Sequence, residues 1–174
     1  HAADHPRRQA DPHEMKDKSD FPGRSVVGHL GDLPTWEATL ILSTRLWMDG
    51  PDGQAEVWSD FARCFGPARG RDELRQFETF LSRLLSAALR PLVRHGTGCA
   101  CIGSDEAVLR LLVHEAAKGD LAEAAMIASL ILPAHHAEPI ALMAARIGSA
   151  MKARADHPSA ALHPPKPQPA RRLH

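Results

Sequence analysis

The chain has 174 residues, 44% of them apolar, which is enough to fill the core of one ordinary domain with tails. Its 21 Lys and Arg balance 21 Asp and Glu, so no global electrostatic force favours a nucleic acid or an anionic membrane as partner. Three cysteines cannot build a disulfide framework, and no apolar run has the length of a membrane span or the flanks of a signal peptide, so a reducing cytoplasm is the expected compartment.

Residues 1–31 are rich in His, Pro and charge, lack a period that could bury a face, and are expected to form a flexible N-terminal arm. The first residue is His. Met15, followed by Lys16, Asp17 and Lys18, offers a natural start that would leave residues 1–14 extraneous, whereas a signal peptide removed upstream would change the expected compartment. A first helix is expected over about 34–48, with Pro34 in its first turn, Asp49-Gly50 at its end, and Trp36, Leu40 and Trp47 on a side that Leu42 and Leu46 widen. A second, over about 53–65, carries Val57, Trp58, Phe61, Ala62 and Phe65 before Gly66-Pro67 stops it. The third, over about 72–89, shows Leu74, Phe77, Leu81, Leu84 and Ala88 in a 3-4-3-4 stripe that Pro91 ends.

Ser104 is the expected cap of a fourth helix that runs to about Lys118, with Asp105 and Glu106 where negative charge suits the helix dipole. Gly119-Asp120 then turns the chain into a fifth helix, about 121–132, folded back antiparallel. Its sequence LAEAAMIASLIL is apolar nearly all round and predicts a place at the centre of the bundle. A sixth helix, about 138–153, turns Ile140, Met143, Ala144, Ile147 and Met151 inward, and residues 155–174 form a Pro-rich tail suited to a spacer or docking peptide. No strand of credible length is visible. The expected fold is all-α, a single-domain bundle of five to six helices over residues 32–154 with disordered or loosely docked ends.

One stretch resists explanation by packing: RHGTGCACIGSDE, residues 94–106. Gly96, Gly98 and Gly103 permit the backbone angles of a tight loop, which would turn neighbouring side chains toward one point. His95, Cys99 and Cys101 then supply one nitrogen and two sulfur ligands, a set suited to zinc, with iron or copper as alternatives. Asp105 completes the expected metal set, with Glu106, Cys64 or solvent as substitutes in the fourth position. Cys64 otherwise reads as a core cysteine on the second helix. Cys99 and Cys101 also form a C-x-C pair within reach of a strained, oxidising disulfide. The bland alternative makes the glycines a helix connection, the cysteines small apolar side chains, and Asp105-Glu106 dipole partners.

His114 lies ten residues of helix beyond Ser104 and reads as a solvated surface histidine; His135-His136 reads as polar filler. No G-x-S-x-G, Walker, G-x-G-x-x-G or H-E-x-x-H pattern occurs, which argues against an enzyme of those classes. The fifth helix offers too few polar side chains to read bases, and Arg63, Arg69, Arg71, Arg90 and Arg94 read as a solvated surface. The leading expectation is a small, non-enzymatic cytoplasmic sensor or adaptor whose His/Cys loop binds a metal ion and couples it to helix packing. The alternatives are a thiol-disulfide protein using Cys99 and Cys101, and an interaction module with no bound metal. A protein partner or homo-oligomer is expected, without nucleic acid or membrane.

Overall fold

Proline and glycine cut the chain into its helices. α1 (Thr35–Met48) follows Pro34, α2 (Pro51–Phe65) and α3 (Pro67–Ala87) each begin on a proline, and α6 (Ala134–Ala155) follows Pro133. A proline in the first turn surrenders an N–H that has no intrahelical partner and fixes φ where the helix needs it. α4 (Ser104–Ala117) follows a short strand, and α5 (Leu121–Ala128) starts from Asp120, whose carboxylate accepts the Glu123 N–H at 3.0 Å. The structure, a computed structural model, describes residues 22–157. Residues 1–21 of the expected arm and residues 158–174 of the expected Pro-rich tail lie outside the described residues. Over the described residues the fold is an all-α single-domain bundle of six helices with a minor two-stranded sheet. None of the described helices is long and apolar enough to cross a membrane.

The hub of the bundle is α6, which touches each of the other five helices. Its stripe of Ile140, Ala144, Ile147 and Met151 is buried in one core with Phe61, Phe77, Leu112 and Val113, each side chain larger than alanine stabilising the fold by about 1.5–3 kcal/mol. Gly148 permits the close approach of α4, because a Cβ there would stand 3.2 Å from the Val113 carbonyl oxygen and closer still to Ala117. The central place expected for the fifth helix is therefore wrong. α5 has only eight residues, buries Ala124 and Ala128, and leaves Met126 63% exposed. The last residues of that run, 129–132, form turns rather than helix.

Two strands also appear where none was expected. β1 (Val26–His29) pairs antiparallel with β2 (Cys101–Gly103), with His29 opposite Cys101, Val26 opposite Gly103, and an irregularity between Val26 and Gly28. Four and three residues are too few for an alternation to be read, and the partners lie far apart in sequence. Leu30, in the 3₁₀ turn Leu30–Asp32, donates its N–H to the Ala100 carbonyl at 2.8 Å. With Ile41 and Ile102 it forms a second small core beneath the strands, so the end of the expected arm is part of the folded unit.

Gly23 holds this segment against α4. It has φ +90, its carbonyl accepts the Asp105 N–H at 3.1 Å, and a Cβ in its place would overlap the Asp105 carboxylate. Gly23→Ala is expected to lower stability by about 1–3 kcal/mol, through left-handed backbone strain and displacement of Asp105. Urea unfolding checks it; a midpoint equal to wild type would show that the contact stabilises nothing.

Candidate functional site

The connection from α3 to β2 is non-helical, yet α1 and the first turn of α4 tie down its backbone at Val93, His95, Gly96 and Cys99. Arg45 of α1 is wholly buried and places all five of its N–H groups. Nε and Nη2 grip the Glu106 carboxylate at 2.7 and 2.9 Å. Nη1 donates to the Gly96 and Cys99 carbonyls at 3.1 and 2.6 Å, and Nη2 to the Cys101 carbonyl at 2.6 Å. Glu106 is equally saturated, since it also accepts the His95 N–H at 3.2 Å and the Gly103 N–H at 2.9 Å. A bidentate, fully hydrogen-bonded pair of this kind is the arrangement in which burial of two charges is tolerable.

A second clamp lies beside it. Arg90 meets both oxygens of the buried Asp105 carboxylate at 2.8 Å, and Asp105 also accepts the Val93 N–H at 2.8 Å. Arg94 pairs with Asp49 at 2.6 Å. Arg90 and Arg94, expected on a solvated surface, thus fasten the loop. Behind it, between α1, α3 and α4, a cavity of about 30 Å³ lined by Leu81, Leu84, Leu92 and Leu109 has room for about one water and none for an organic cofactor.

Held this way, the loop sets three reactive side chains side by side. The Cys99 sulfur lies 4.0 Å from His95 Nδ1 and accepts the Cys101 N–H at 3.4 Å. A hydrogen bond to that same sulfur is the main cause that pushes the Cys101 thiol above its usual range; burial and the Cys99 charge add to it, and the Arg45 cation opposes it. All three cysteines are free thiols. His95 packs its ring over Gly103, where a Cβ would stand 3.1 Å from Cδ2, and its Nε2 is enclosed without a hydrogen-bond partner.

Comparison with protein-family models, curated proteins and solved structures finds no match.

Of the expected metal set, His95, Cys99 and Cys101 are neighbours, with Cys99 between the other two. Asp105 is turned to Arg90 and Val93, and Glu106 to Arg45. Among the described residues, no three His, Cys, Asp or Glu side chains form a group that could hold a metal ion. Cys64 lies half-buried on α2, its thiol raised by burial and lowered by Arg63. The loop glycines also act differently from expectation. None of Gly96, Gly98 and Gly103 has a positive φ; Arg45 shapes the loop, and Gly103 makes room for an imidazole. Ser104 makes no cap, and the start of α4 is satisfied instead by Glu106 reaching back to Gly103.

Two further ionic centres escaped sequence reading. On α1, the buried Glu37 carboxylate takes Arg110 Nη1 at 2.7 Å and His114 Nδ1, while the His114 ring stacks on Trp36 with centroids 6.1 Å apart. His114 is thus a tie between α4 and α1. Between α2 and α6, the buried Arg154 and Asp60 form an ion pair, with Ser43 Oγ 3.2 Å from Arg154 Nη1. The signal for Arg154 was present: it continues the Ile140, Ala144, Ile147, Met151 stripe by one more step of three.

Proposed function

We propose that this protein is a helical scaffold carrying a dithiol, Cys99 and Cys101, whose redox state is transmitted through Arg45 to the packing of α1 against α4. The observation that supports this most directly is the crowding at the Cys99 sulfur, which accepts the Cys101 N–H at 3.4 Å and lies 4.0 Å from His95 Nδ1. Cys101, whose thiol retains its proton more firmly than usual, is the resolving group, which leaves Cys99 as the attacking one.

With a small-molecule disulfide as oxidant the sequence of bonds is simple. The Cys99 thiol gives its proton to water as its sulfur attacks one sulfur of the incoming disulfide; that S–S bond breaks, and the first thiolate leaves and takes up a proton. The Cys101 thiol loses its proton to water and attacks the Cys99 sulfur of the mixed disulfide, which expels the second thiolate. The two cysteines are oxidised and the small disulfide is reduced to two thiols. Closing so small a ring must reorient the peptides of residues 99 and 101, and Arg45 holds the carbonyls of both. Oxidation therefore acts directly on a buried ion pair.

Thiol titration after exposure to oxidised glutathione tests the reading. The free-thiol count is expected to fall from three to one, to return with dithiothreitol, and to show no internal disulfide in Cys99→Ala. In the same variant, Cys101 should alkylate faster at pH 8, having lost the hydrogen bond that holds its proton. A count that stays at three under oxidation sinks the proposal. So does a stoichiometric zinc, iron or copper ion in native protein that Cys99→Ser releases, an outcome that would favour the metal-sensor reading.

A further inference from the structure

The dithiol is held from two sides. Carbonyls along residues 99–101 alternate in direction: those of Cys99 and Cys101 face Arg45 at 2.6 Å each, whereas that of Ala100 serves the other edge and accepts the Leu30 N–H at 2.8 Å. Such alternation belongs to an extended chain, in which residues two apart are separated by about 6.6 Å. A disulfide brings its two Cβ atoms to about 3.5–4.5 Å, so joining Cys99 to Cys101 must fold the chain at Ala100 and redirect its carbonyl.

The two holds are unequal. Arg45 is buried and charged, Glu106 fixes it in place, and hydrogen bonds from a charged donor are roughly twice as strong as neutral ones. Leu30 offers a neutral amide. The strand it continues, β1, has four residues, none of them buried, with Val26 and Val27 55% and 57% exposed. β1 pairs in the sheet with β2 alone, and β2 begins at Cys101 itself, opposite His29. When Ala100 turns, the β1 side is therefore the one that parts, while Arg45 shifts with the carbonyls it holds.

We infer, resting on the dithiol reading above, that oxidation of Cys99 and Cys101 releases the N-terminal strand β1 from β2, so that β1 is a free segment only in the disulfide form. By the exchange written above, the cysteines lose two electrons to the small-molecule disulfide, and the protons they release match those its two thiolates take up. Release leaves Cys101–Gly103 as a bare strand edge, the kind of edge on which another strand can pair.

Hydrogen exchange of the full chain, read by mass spectrometry with and without oxidised glutathione and with thiols counted on the same samples, tests the assignment. On oxidation, exchange of the amides of 26–30 and tryptic cleavage after the exposed Arg24 are each expected to rise at least about tenfold, with segment 140–151 of α6 unchanged. Dithiothreitol should restore both, and Cys99→Ala should show neither change. The coupling must also run in reverse. Leu30→Ala, which loosens β1 from Ile41 and Ile102, should lower by at least about fivefold the oxidised glutathione needed to half-oxidise the pair. A free-thiol count that falls from three to one with exchange and cleavage unchanged overturns the release and leaves the dithiol standing. So does a Leu30→Ala variant that oxidises as the wild type does. A count that stays at three overturns both readings.

Discussion

Arg45→Met is expected to destabilise the protein by about 3–5 kcal/mol, the usual effect of stranding one member of a buried ion pair. The methionine fills the space of the arginine stem but leaves the Glu106 carboxylate buried without its cation. It also removes the donors to the carbonyls of Gly96, Cys99 and Cys101. Glu106→Gln should lose a comparable amount, since its amide nitrogen would confront Arg45 or the amides of His95 and Gly103. The double variant should lose clearly less than the sum, with a coupling of about 1–3 kcal/mol in a double-mutant cycle. Guanidinium unfolding curves give all four corners. Additive losses would mean that Arg45 and Glu106 do not act as one unit, and the route from the thiols to the core would disappear with them.

The second large effect concerns the other end of the bundle. Burial lowers the Arg154 guanidinium to about 10, which still leaves it charged at neutral pH. Asp60→Asn therefore strands a cation between α2 and α6 and is expected to cost about 3–5 kcal/mol. The pH dependence has a definite sign. The folded state holds the Arg154 proton less firmly than the unfolded chain does, so this group's penalty is fully present below pH 10. It is relieved as the pH rises from about 10 toward the ordinary arginine value. The variant should accordingly regain part of its lost stability over that window. Replacing both residues, Asp60→Leu with Arg154→Met, should recover most of the loss at neutral pH, because a well-packed apolar pair can substitute for a buried ionic one. A loss below about 1 kcal/mol for Asp60→Asn alone would show that the pair does not fasten α2 to α6.

How much of this was legible in the amino acids follows from what each feature depends on. Helix positions were readable because Gly66-Pro67, Gly119-Asp120 and Pro133 act locally, and because the Leu74 to Ala88 stripe repeats over about four turns. The burial of α5 was misread because apolarity reports the wish to be covered and says nothing about which molecule supplies the cover. β1 and β2 were invisible because a pairing of three residues leaves no period. The site was half visible. His95, Cys99 and Cys101 stood out as residue types, but the loop was ascribed to its glycines when a side chain from α1 sets its shape. Arg45 had a signal, a charge on the same side as Ile41 and Leu42, and was passed over because a lone arginine on a helix is usually solvent-facing.

The pairing of β1 with β2 bears on how the molecule should be handled at the bench. A version trimmed to begin at Pro34, as helix boundaries alone would suggest, would carry the whole bundle yet remove the strand beside Cys101, the Leu30 plug and the Gly23 carbonyl that seats α4. Its cysteines would then report on a frayed edge rather than on the native loop.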